Sequence, residues 1–181
     1  MKISATELPE ALLIEPVVFG DDRGFFFESF NRRVFQETAE IDVEFVQDNH
    51  SLSEKNVLRG LHYQIQQPQG KLVRVVSGSV FDVIVDLRKS SPRFGKFICV
   101  VLSAENKHML WVPPGFAHGF LVTSDSAEFL YKVTDYRAPQ YERTLLWNDA
   151  ALGIPWPLSA EPVLSKKDRE GVPLEAAEVY A

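Results

Sequence analysis

The chain has 181 residues, 45% of them hydrophobic, which is enough to build one compact domain with a sizeable core. Its 19 basic and 25 acidic side chains give a formal charge of −6 without any basic stripe, so we do not expect it to bind nucleic acid. The longest apolar run, residues 97–102, is far shorter than the roughly 20 residues that cross a bilayer, so we expect a soluble protein with no membrane contact.

The N-terminus and the cysteine count predict where the protein resides. Glu7 and Glu10 lie where a signal peptide would have its apolar stretch. The single cysteine, Cys99, cannot form an intrachain disulfide. Both features favour the cytoplasm.

The first 60 residues predict three strands and one helix, with strands at residues 12–19, 24–30 and 43–48 and a helix at 32–38. Asn31 is suited to cap the helix, and Phe30 and Phe35 have the spacing of a hydrophobic staple. Pro16 would remove a backbone donor from the first strand. We therefore expect that strand at a sheet edge, or paired with another subunit.

From Lys71 onward the sequence is a series of short strand-like runs separated by turn signals. The runs cover residues 72–77, 80–87, 97–102, 108–112, 119–123 and 127–134. The connections between them are too short for crossover helices, so the sheet is expected to be mostly antiparallel. This pattern predicts an all-β sandwich or barrel with a few short helices.

The run at 80–87 alternates between an apolar and a mixed face. Phe81, Val83 and Val85 lie on the apolar face, whereas Asp82 and Asp86 lie on the mixed one. The mixed face is able to line a polar cavity. After Trp147 the pattern gives way to loops rich in Pro and Trp, with no repeat or linker, so residues 1–181 are interpreted as a single domain.

Polar residues concentrate in two places, residues 47–50 and 58–64, followed by Lys71. Two cations, two imidazoles and several amides so close together indicate an anionic ligand, although a solvated loop has the same composition. Arg59 and His62 lie within a strand-like segment, and strict alternation puts them on opposite faces. A bulge or twist near Gly60 is needed if both contact one ligand.

The histidines do not have the spacing of a metal site. Small barrels that hold a metal begin the site with a His-x-His pair, but His62 is followed by Tyr63 and Gln64. Neither His50, His108 nor His118 supplies a partner at ligand spacing. We therefore expect no metal. Two interpretations of His118 stay open, as a structural histidine or as part of a functional site.

The sequence resembles the dTDP-4-dehydrorhamnose 3,5-epimerase family through segments spread over nearly the whole chain. These segments are FGDDRGFFFES (19–29), FVQDNHS (45–51), VLRGLHYQ (57–64), QGKLVR (69–74), LSAENK (102–107), PGFAHGF (114–120), EFLYK (128–132) and LWND (146–149). The resemblance implies a cupin-type jelly-roll barrel, a dTDP-sugar substrate and no cofactor. It also implies a homodimer, in which the strand with Pro16 is a reasonable element for exchange between subunits.

The reaction implied by the resemblance removes and returns protons beside a sugar ketone. Carbons 3 and 5 flank the carbonyl of a 4-keto sugar, so proton removal gives an enolate. The resemblance places His62 as base, Asp168 as its partner, Tyr131 as the acid on the opposite face and Lys71 beside the enolate oxygen. None of these steps requires a metal or nucleotide cofactor.

The resemblance also implies the groups that bind substrate. They are Arg23, Glu28, Gln47, Asp48, Asn49, Arg59, Lys71, His118, Glu142 and Lys167. Guanidinium groups suit a diphosphate, which fits Arg23 and Arg59. The family commonly has an aromatic residue that stacks on thymine after the position of Tyr136, but this chain has Arg137. We expect an altered nucleobase preference and retained activity.

Three alternatives share parts of this pattern. Epimerisation at one carbon only, or ketoisomerisation, uses the same enolate and differs in how the sugar lies. A metal-dependent cupin enzyme is disfavoured by the missing histidine pair. A sugar-nucleotide binding module without activity is disfavoured by the presence of His62, Lys71, Tyr131 and Asp168 together.

Overall fold

The computed structural model describes residues 1–181 and contains thirteen strands, two α-helices and two 3-10 helices. The strands are β1 Lys2–Ala5, β2 Leu12–Glu15, β3 Phe19–Asp21, β4 Gly24–Phe26, β5 Gln47–Glu54, β6 Leu58–Gln64, β7 Lys71–Ser77, β8 Ser79–Asp86, β9 Phe97–Ser103, β10 Met109–Val112, β11 Phe116–Val122, β12 Ser126–Val133 and β13 Glu142–Thr144. The α-helices are α1 Arg32–Ala39 and α2 Lys166–Arg169, and the 3-10 helices cover Pro139–Tyr141 and Leu174–Ala176. No helix is long and apolar enough to cross a membrane.

The strands form two main sheets. One has six strands in the order β1-β2-β10-β7-β12-β5, and the other has five in the order β13-β6-β11-β8-β9. All strand pairs in both sheets are antiparallel. Two antiparallel sheets with crossing connections are typical of a jelly roll, and the predicted all-β class is confirmed.

The apolar side chains form three clusters, one between the sheets and one on each outer face. The inner cluster includes Val80, Ile84 and Phe129. Val83 and Val85, which alternate with the first two along β8, lie in the cluster on the outer face of the five-stranded sheet. The C-terminal segment covers that face with side chains such as those of Ile154, Trp156 and Tyr180. The alternation predicted for residues 80–87 is therefore confirmed.

Helix α1 covers the outer face of the six-stranded sheet. Asn31 Oδ1 accepts a hydrogen bond from the Val34 backbone N–H at 3.3 Å, as expected of a helix N-cap. The rings of Phe30 and Phe35 have centroids 6.0 Å apart, and Phe35 also packs on Trp111 at 5.8 Å. The predicted cap and staple are confirmed.

Three predicted strand positions near the N-terminus are wrong. The strand predicted at residues 12–19 ends at Glu15, four residues early and just before Pro16, and β2 lies between β1 and β10, so it is not at an edge. Since Pro16 stands outside the strand, its missing donor costs no ladder bond. The second strand stops at Phe26 and the third begins at Gln47, four residues after the predicted start, because the apolar residues before it pack beneath α1.

Candidate active site

A cavity of about 360 Å³ opens between the two sheets. It is lined by side chains from β5, β6, β7, β11 and β12 and from the segments around β13 and α2. Ten residues singled out in the sequence line it: Gln47, Asn49, Arg59, His62, Lys71, His118, Tyr131, Arg137, Glu142 and Lys167. Residues spread over 120 positions of chain therefore meet at one place.

His62 and Asp168 form a hydrogen-bonded pair at this cavity. His62 Nε2 lies 2.6 Å from Asp168 Oδ1, and the same oxygen accepts the Gly60 backbone N–H at 3.2 Å. Ser165 Oγ donates to the other carboxylate oxygen at 2.6 Å. Burial alone would raise the pKa of Asp168, but these hydrogen bonds hold it below its usual value. The carboxylate is thus ionised and fixes the Nε2–H tautomer, which leaves His62 Nδ1 with a free lone pair.

The His62 imidazole is neutral at ordinary pH. Burial lowers its pKa below the usual 6.5, and the nearby cations Lys167 and Lys71 act in the same direction, whereas Asp168 opposes them. A neutral imidazole with an oriented lone pair is able to accept a proton from a carbon acid.

The turn at Gly60 brings both Arg59 and His62 into the cavity. Gly60 has φ 120°, a conformation that favours glycine, and the pairing of β6 with β11 shifts register beside it. A Cβ at Gly60 would lie 2.5 Å from the Gly119 Cα, so no larger residue fits. The predicted irregularity is confirmed. Strict alternation, which would put Arg59 and His62 on opposite faces, is broken here, and Leu61 between them packs on the outer face of the sheet.

Lys71 lies at the floor of the cavity beside a second buried pair. Its Nζ donates to the His62 carbonyl at 3.3 Å, and burial lowers its pKa to about 8, with Asp82 opposing the shift. His118 Nε2 lies 2.9 Å from Asp82 Oδ2, and the Asp82 side chain is fully buried. The partner of His118 is therefore a carboxylate, which orients its ring toward the cavity.

Sequence reasoning assigned no role to Asp82, although the signal was available. A carboxylate in an otherwise apolar strand, on the face predicted to line a polar cavity, needs a partner when it is buried. The structure supplies two partners for it, the ring of His118, which it contacts at 2.9 Å, and the nearby Lys71 ammonium. Burial raises the pKa of Asp82 and these neighbours oppose that shift.

Tyr131 approaches the cavity from the other sheet. It lies on β12 of the six-stranded sheet, whereas His62 lies on β6 of the five-stranded one. Burial raises the pKa of the Tyr131 phenol, and the negative charge of Glu142 adds to this shift. The phenol therefore stays protonated at neutral pH and is available as an acid.

Glu142 joins two cations at the cavity mouth. Its two carboxylate oxygens accept from Arg137 Nε and Lys167 Nζ, each at 2.8 Å. Although burial opposes the shift, these bonds lower the pKa of Glu142 to about 2. The Arg137 backbone N–H donates to Gln47 Oε1 at 3.2 Å, and Gln64, another residue with no assigned role, accepts the next N–H at 2.8 Å. Arg137 is thus held at the rim.

Two predicted binding residues lie outside the cavity near the N-terminus. Arg23 is at the tip of the hairpin formed by β3 and β4, which we call the N-terminal hairpin, and pairs there with Asp21. Glu28 accepts a hydrogen bond from Asn31 Nδ2 at 3.0 Å, next to α1. Within this chain, neither reaches the groups that line the cavity.

Asp48 also lies outside the cavity, and its placement follows from strand alternation. Gln47 and Asn49 face inward on β5, so Asp48 faces outward, where Lys132 Nζ donates to it at 2.9 Å. Within this chain Asp48 therefore does not line the cavity with Gln47 and Asn49, and its role in binding stays a prediction. No group of three or more His, Cys, Asp or Glu side chains is arranged to hold a metal ion.

A jelly roll whose cavity holds a neutral imidazole with a carboxylate partner and a protonated phenol from the facing sheet is suited to an isomerase. The family model described as dTDP-4-dehydrorhamnose 3,5-epimerase matches residues 5–176. The chain belongs to this family. A relative from Pseudomonas aeruginosa, named dTDP-4-dehydrorhamnose 3,5-epimerase, is 58% identical over 180 residues and 99% of each chain is covered.

Solved structures agree with this assignment. The chain is similar to a dTDP-6-deoxy-D-glucose-3,5-epimerase from Legionella pneumophila in complex with dTDP-4-keto-L-rhamnose, with a TM-score of 0.96, 50% identity, and 98% and 94% of the two chains covered. It is less similar in sequence to a 3'-monoepimerase from Streptomyces bikiniensis in complex with dTDP-quinovose, at 33% identity with a TM-score of 0.89 and 94% and 87% coverage. Enzymes that epimerise one carbon thus share the fold.

Proposed function

We propose that the chain epimerises carbons 3 and 5 of dTDP-4-dehydro-6-deoxy-D-glucose to give dTDP-4-dehydro-L-rhamnose, the activity named for its relatives. The observation that carries the proposal is that His62 on one sheet, paired with Asp168 of α2, and the protonated Tyr131 on the facing sheet lie around a cavity that also holds Lys71. A base and an acid on opposite sides are what inversion of a carbon acid requires.

Each inversion begins with proton removal by His62. Nδ1 takes the proton from the carbon next to the ketone, the C–H electron pair forms a C=C bond, and the carbonyl π pair moves to the oxygen, giving an enolate. Asp168 stabilises the imidazolium that forms. The Lys71 ammonium supports the negative charge on the enolate oxygen.

Inversion is completed when the proton returns on the other face. The Tyr131 hydroxyl gives its proton to the same carbon, the enolate electrons form the new C–H bond, and the ketone is restored. Exchange with solvent then reprotonates the phenol and removes the proton from His62. The same two groups serve both carbons once the sugar has shifted in the cavity.

The remaining cavity residues support binding of the nucleotide part. Arg59 and Lys167 carry positive charge suited to the diphosphate, while Gln47, Asn49 and His118 offer hydrogen-bonding groups. Arg137 lies at the rim, where its planar guanidinium is able to stack on a base. All of these steps use side chains of this protein alone.

The activity is tested by following solvent deuterium into the substrate. The purified protein is incubated with dTDP-4-dehydro-6-deoxyglucose in deuterated water, NMR monitors carbons 3 and 5, and an added reductase traps the product. Label at both carbons and trapping as dTDP-rhamnose support the proposal. Label and inversion at one carbon would instead indicate a monoepimerase, and no label would point to a binding module or a metal-dependent enzyme.

We further propose that the protein is a homodimer in which the N-terminal hairpin reaches the second copy. The hairpin is a separate two-stranded sheet, and Phe19, Phe25 and Phe26 on it are 63–67% exposed. Exposed aromatic clusters of this kind usually contact a partner. Since Arg23 and Glu28 lie outside the cavity of their own chain, this arrangement lets them serve the cavity of the other one.

Subunit mixing tests this arrangement. We expect Arg23→Ala and His62→Asn each to impair activity, and a 1:1 mixture, after dissociation and reassociation, to recover about a quarter of the wild-type rate, because half the dimers are mixed and each has one intact site. No recovery would mean that Arg23 acts within its own chain. As a matched control, mixing His62→Asn with Tyr131→Phe restores no site in which both groups are intact.

The location is also a proposal. The free thiol of Cys99, whose pKa burial raises to about 11, supports a reducing compartment such as the cytoplasm, since it is neither paired nor reactive.

We further propose that residues 1–181 act as one domain, because the C-terminal segment packs on the same sheet that carries His62.

A further inference from the structure

Ser165 is the only hydrogen-bond donor to one of the two carboxylate oxygens of Asp168, the partner of His62. Asp168 Oδ1 accepts from both His62 and Gly60, whereas Oδ2 accepts only from Ser165 Oγ, at 2.6 Å. Asp168 is 3% exposed, so solvent does not replace a lost donor freely. The two oxygens therefore have separate partners that together determine the rotation of the carboxylate.

The same serine also caps the turn that carries the carboxylate. Its Oγ accepts the Asp168 backbone N–H at 3.2 Å, as an N-cap of α2. Helix α2 has only four residues and little stability of its own. From this turn Lys167 donates to Glu142 at 2.8 Å on the cavity side. The Ser165 cap thus positions both Lys167, a binding residue, and Asp168, the partner of the His62 base.

We propose that Ser165 is a positioning residue for the reaction, whose hydroxyl holds the Asp168 carboxylate in the orientation that fixes the His62 base. This inference rests on the proposed function, in which His62 removes the substrate proton. Without the hydroxyl, the carboxylate keeps its charge but loses one of three donors and is free to rotate. His62 then has a less defined tautomer and orientation, which lowers the rate of proton removal.

The loss of the donor also has a defined effect on the titration of His62. A carboxylate relieved of one hydrogen bond concentrates more negative charge toward His62 and stabilises the imidazolium more strongly. The pKa of His62 therefore rises. Lys71 and Lys167 also face His62, and neither is altered by the change at Ser165.

The test compares Ser165→Ala, Ser165→Gly and Ser165→Thr with Ser159→Ala as a control. Ser159 lies on the same C-terminal segment and bonds only Asn56. In the Ala and Gly variants we expect kcat to fall about tenfold, KM to change less than about twofold, and the acid limb of the kcat–pH profile to move to higher pH. The Ser165→Thr variant keeps the hydroxyl, so its kcat, KM and kcat–pH profile should match those of the wild type. Glycine is tolerated at an N-cap position. The Ser165→Gly variant therefore separates the effect of losing the hydroxyl from the effect of losing the helix cap.

NMR titration of His62 in the substrate-free protein is the second readout, and it does not depend on turnover. A higher His62 pKa in the Ala and Gly variants, reversed by Thr, supports the inference. If these variants change only the melting temperature, with the His62 titration and the kcat–pH profile unchanged, the inference is overturned. Absence of turnover in the wild-type protein would instead contradict the proposed function, and the titration would still decide the role of Ser165.

Discussion

The cavity floor and the N-terminal hairpin differ in how their functional groups are held. At the floor, His62 is fixed by the buried Asp168, and Lys71 lies beside the buried Asp82. On the hairpin, Arg23 pairs with Asp21 in solvent, surrounded by exposed aromatic rings. The groups proposed to move protons are thus held by partners within their own chain. The hairpin groups proposed to bind the nucleotide do not face the cavity of their own chain.

This difference follows from what each task requires. Proton transfer depends on hydrogen-bond distance and on a defined tautomer, and both need buried partners with little freedom. Binding of a diphosphate tolerates longer and more mobile contacts, since the charge of a guanidinium acts over several ångströms. Exposed ion pairs such as Arg23–Asp21 contribute little to stability and are easily exchanged for a ligand.

The largest effect is expected at the base. His62→Asn removes the only imidazole bonded to Asp168, so kcat should fall about 10³-fold and deuterium uptake at both carbons should stop. Rapid-quench and NMR exchange measurements check this. His108→Asn is the matched control, because His108 lies outside the cavity, and it should stay within about twofold of wild type. Full exchange in His62→Asn would mean that another group is the base.

Replacement of the acid should separate exchange from inversion. Tyr131→Phe keeps the ring and its packing against Phe129 but removes the hydroxyl, so His62 still exchanges protons while inversion slows about 10²-fold. The ratio of deuterium uptake to trapped product measures this. Equal losses of exchange and inversion would show that Tyr131 is needed for proton removal as well.

Changes on the hairpin should affect binding more than chemistry. Phe25→Ser with Phe26→Ser removes two exposed rings, so the proposed dimer should dissociate and KM rise about tenfold, with a smaller change in kcat. Sedimentation and steady-state kinetics provide the measurements. Leu158→Ser, another exposed apolar position, is the control for added polarity. A monomer with unchanged KM would contradict a role for the hairpin in the second cavity.

The pH dependence of kcat should have two limbs set by the cavity floor. The base must be neutral, and its pKa lies below 6.5, so activity falls only below that pH. Lys71 must be protonated, and its pKa is about 8, so activity falls about tenfold per unit above pH 8. Lys71→Arg keeps its charge at high pH and should remove the upper limb. A profile that stays flat to pH 10 would exclude Lys71 as the enolate-stabilising cation.

The smallest effect is expected at the rim. Arg137→Tyr replaces the guanidinium at the rim with an aromatic ring, so dTDP should bind about fivefold tighter and be distinguished better from UDP, with kcat within about twofold. Calorimetry with the two nucleotides tests this. Arg143→Tyr is the control, because Arg143 pairs with Glu178 away from the cavity. No change in the dTDP/UDP ratio would mean that residue 137 does not contact the base.

Local patterns in the sequence were enough to predict most of the fold. The alternation in residues 80–87 depends only on neighbouring side chains, and the Asn31 cap and the Phe30–Phe35 staple depend on contacts within one turn of helix. The strand before Gln47 was misplaced because its apolar residues pack under α1, a contact between distant segments. Periodicity does not report which surface an apolar residue meets.

The sequence by itself determined the all-β class, the family and the residue types that carry the chemistry, because these are recorded in local periodicity and in motifs. The family resemblance also implied that Asp168 is the partner of His62, and the structure shows that contact across 106 positions. Only the tertiary structure decided that Ser165 and Asp82 complete the two buried pairs, and that Asp48, Arg23 and Glu28 lie outside the cavity of their own chain. Pairing between distant residues depends on sheet register and on the turn at Gly60. Hydrogen bonds form only where these bring the atoms within reach.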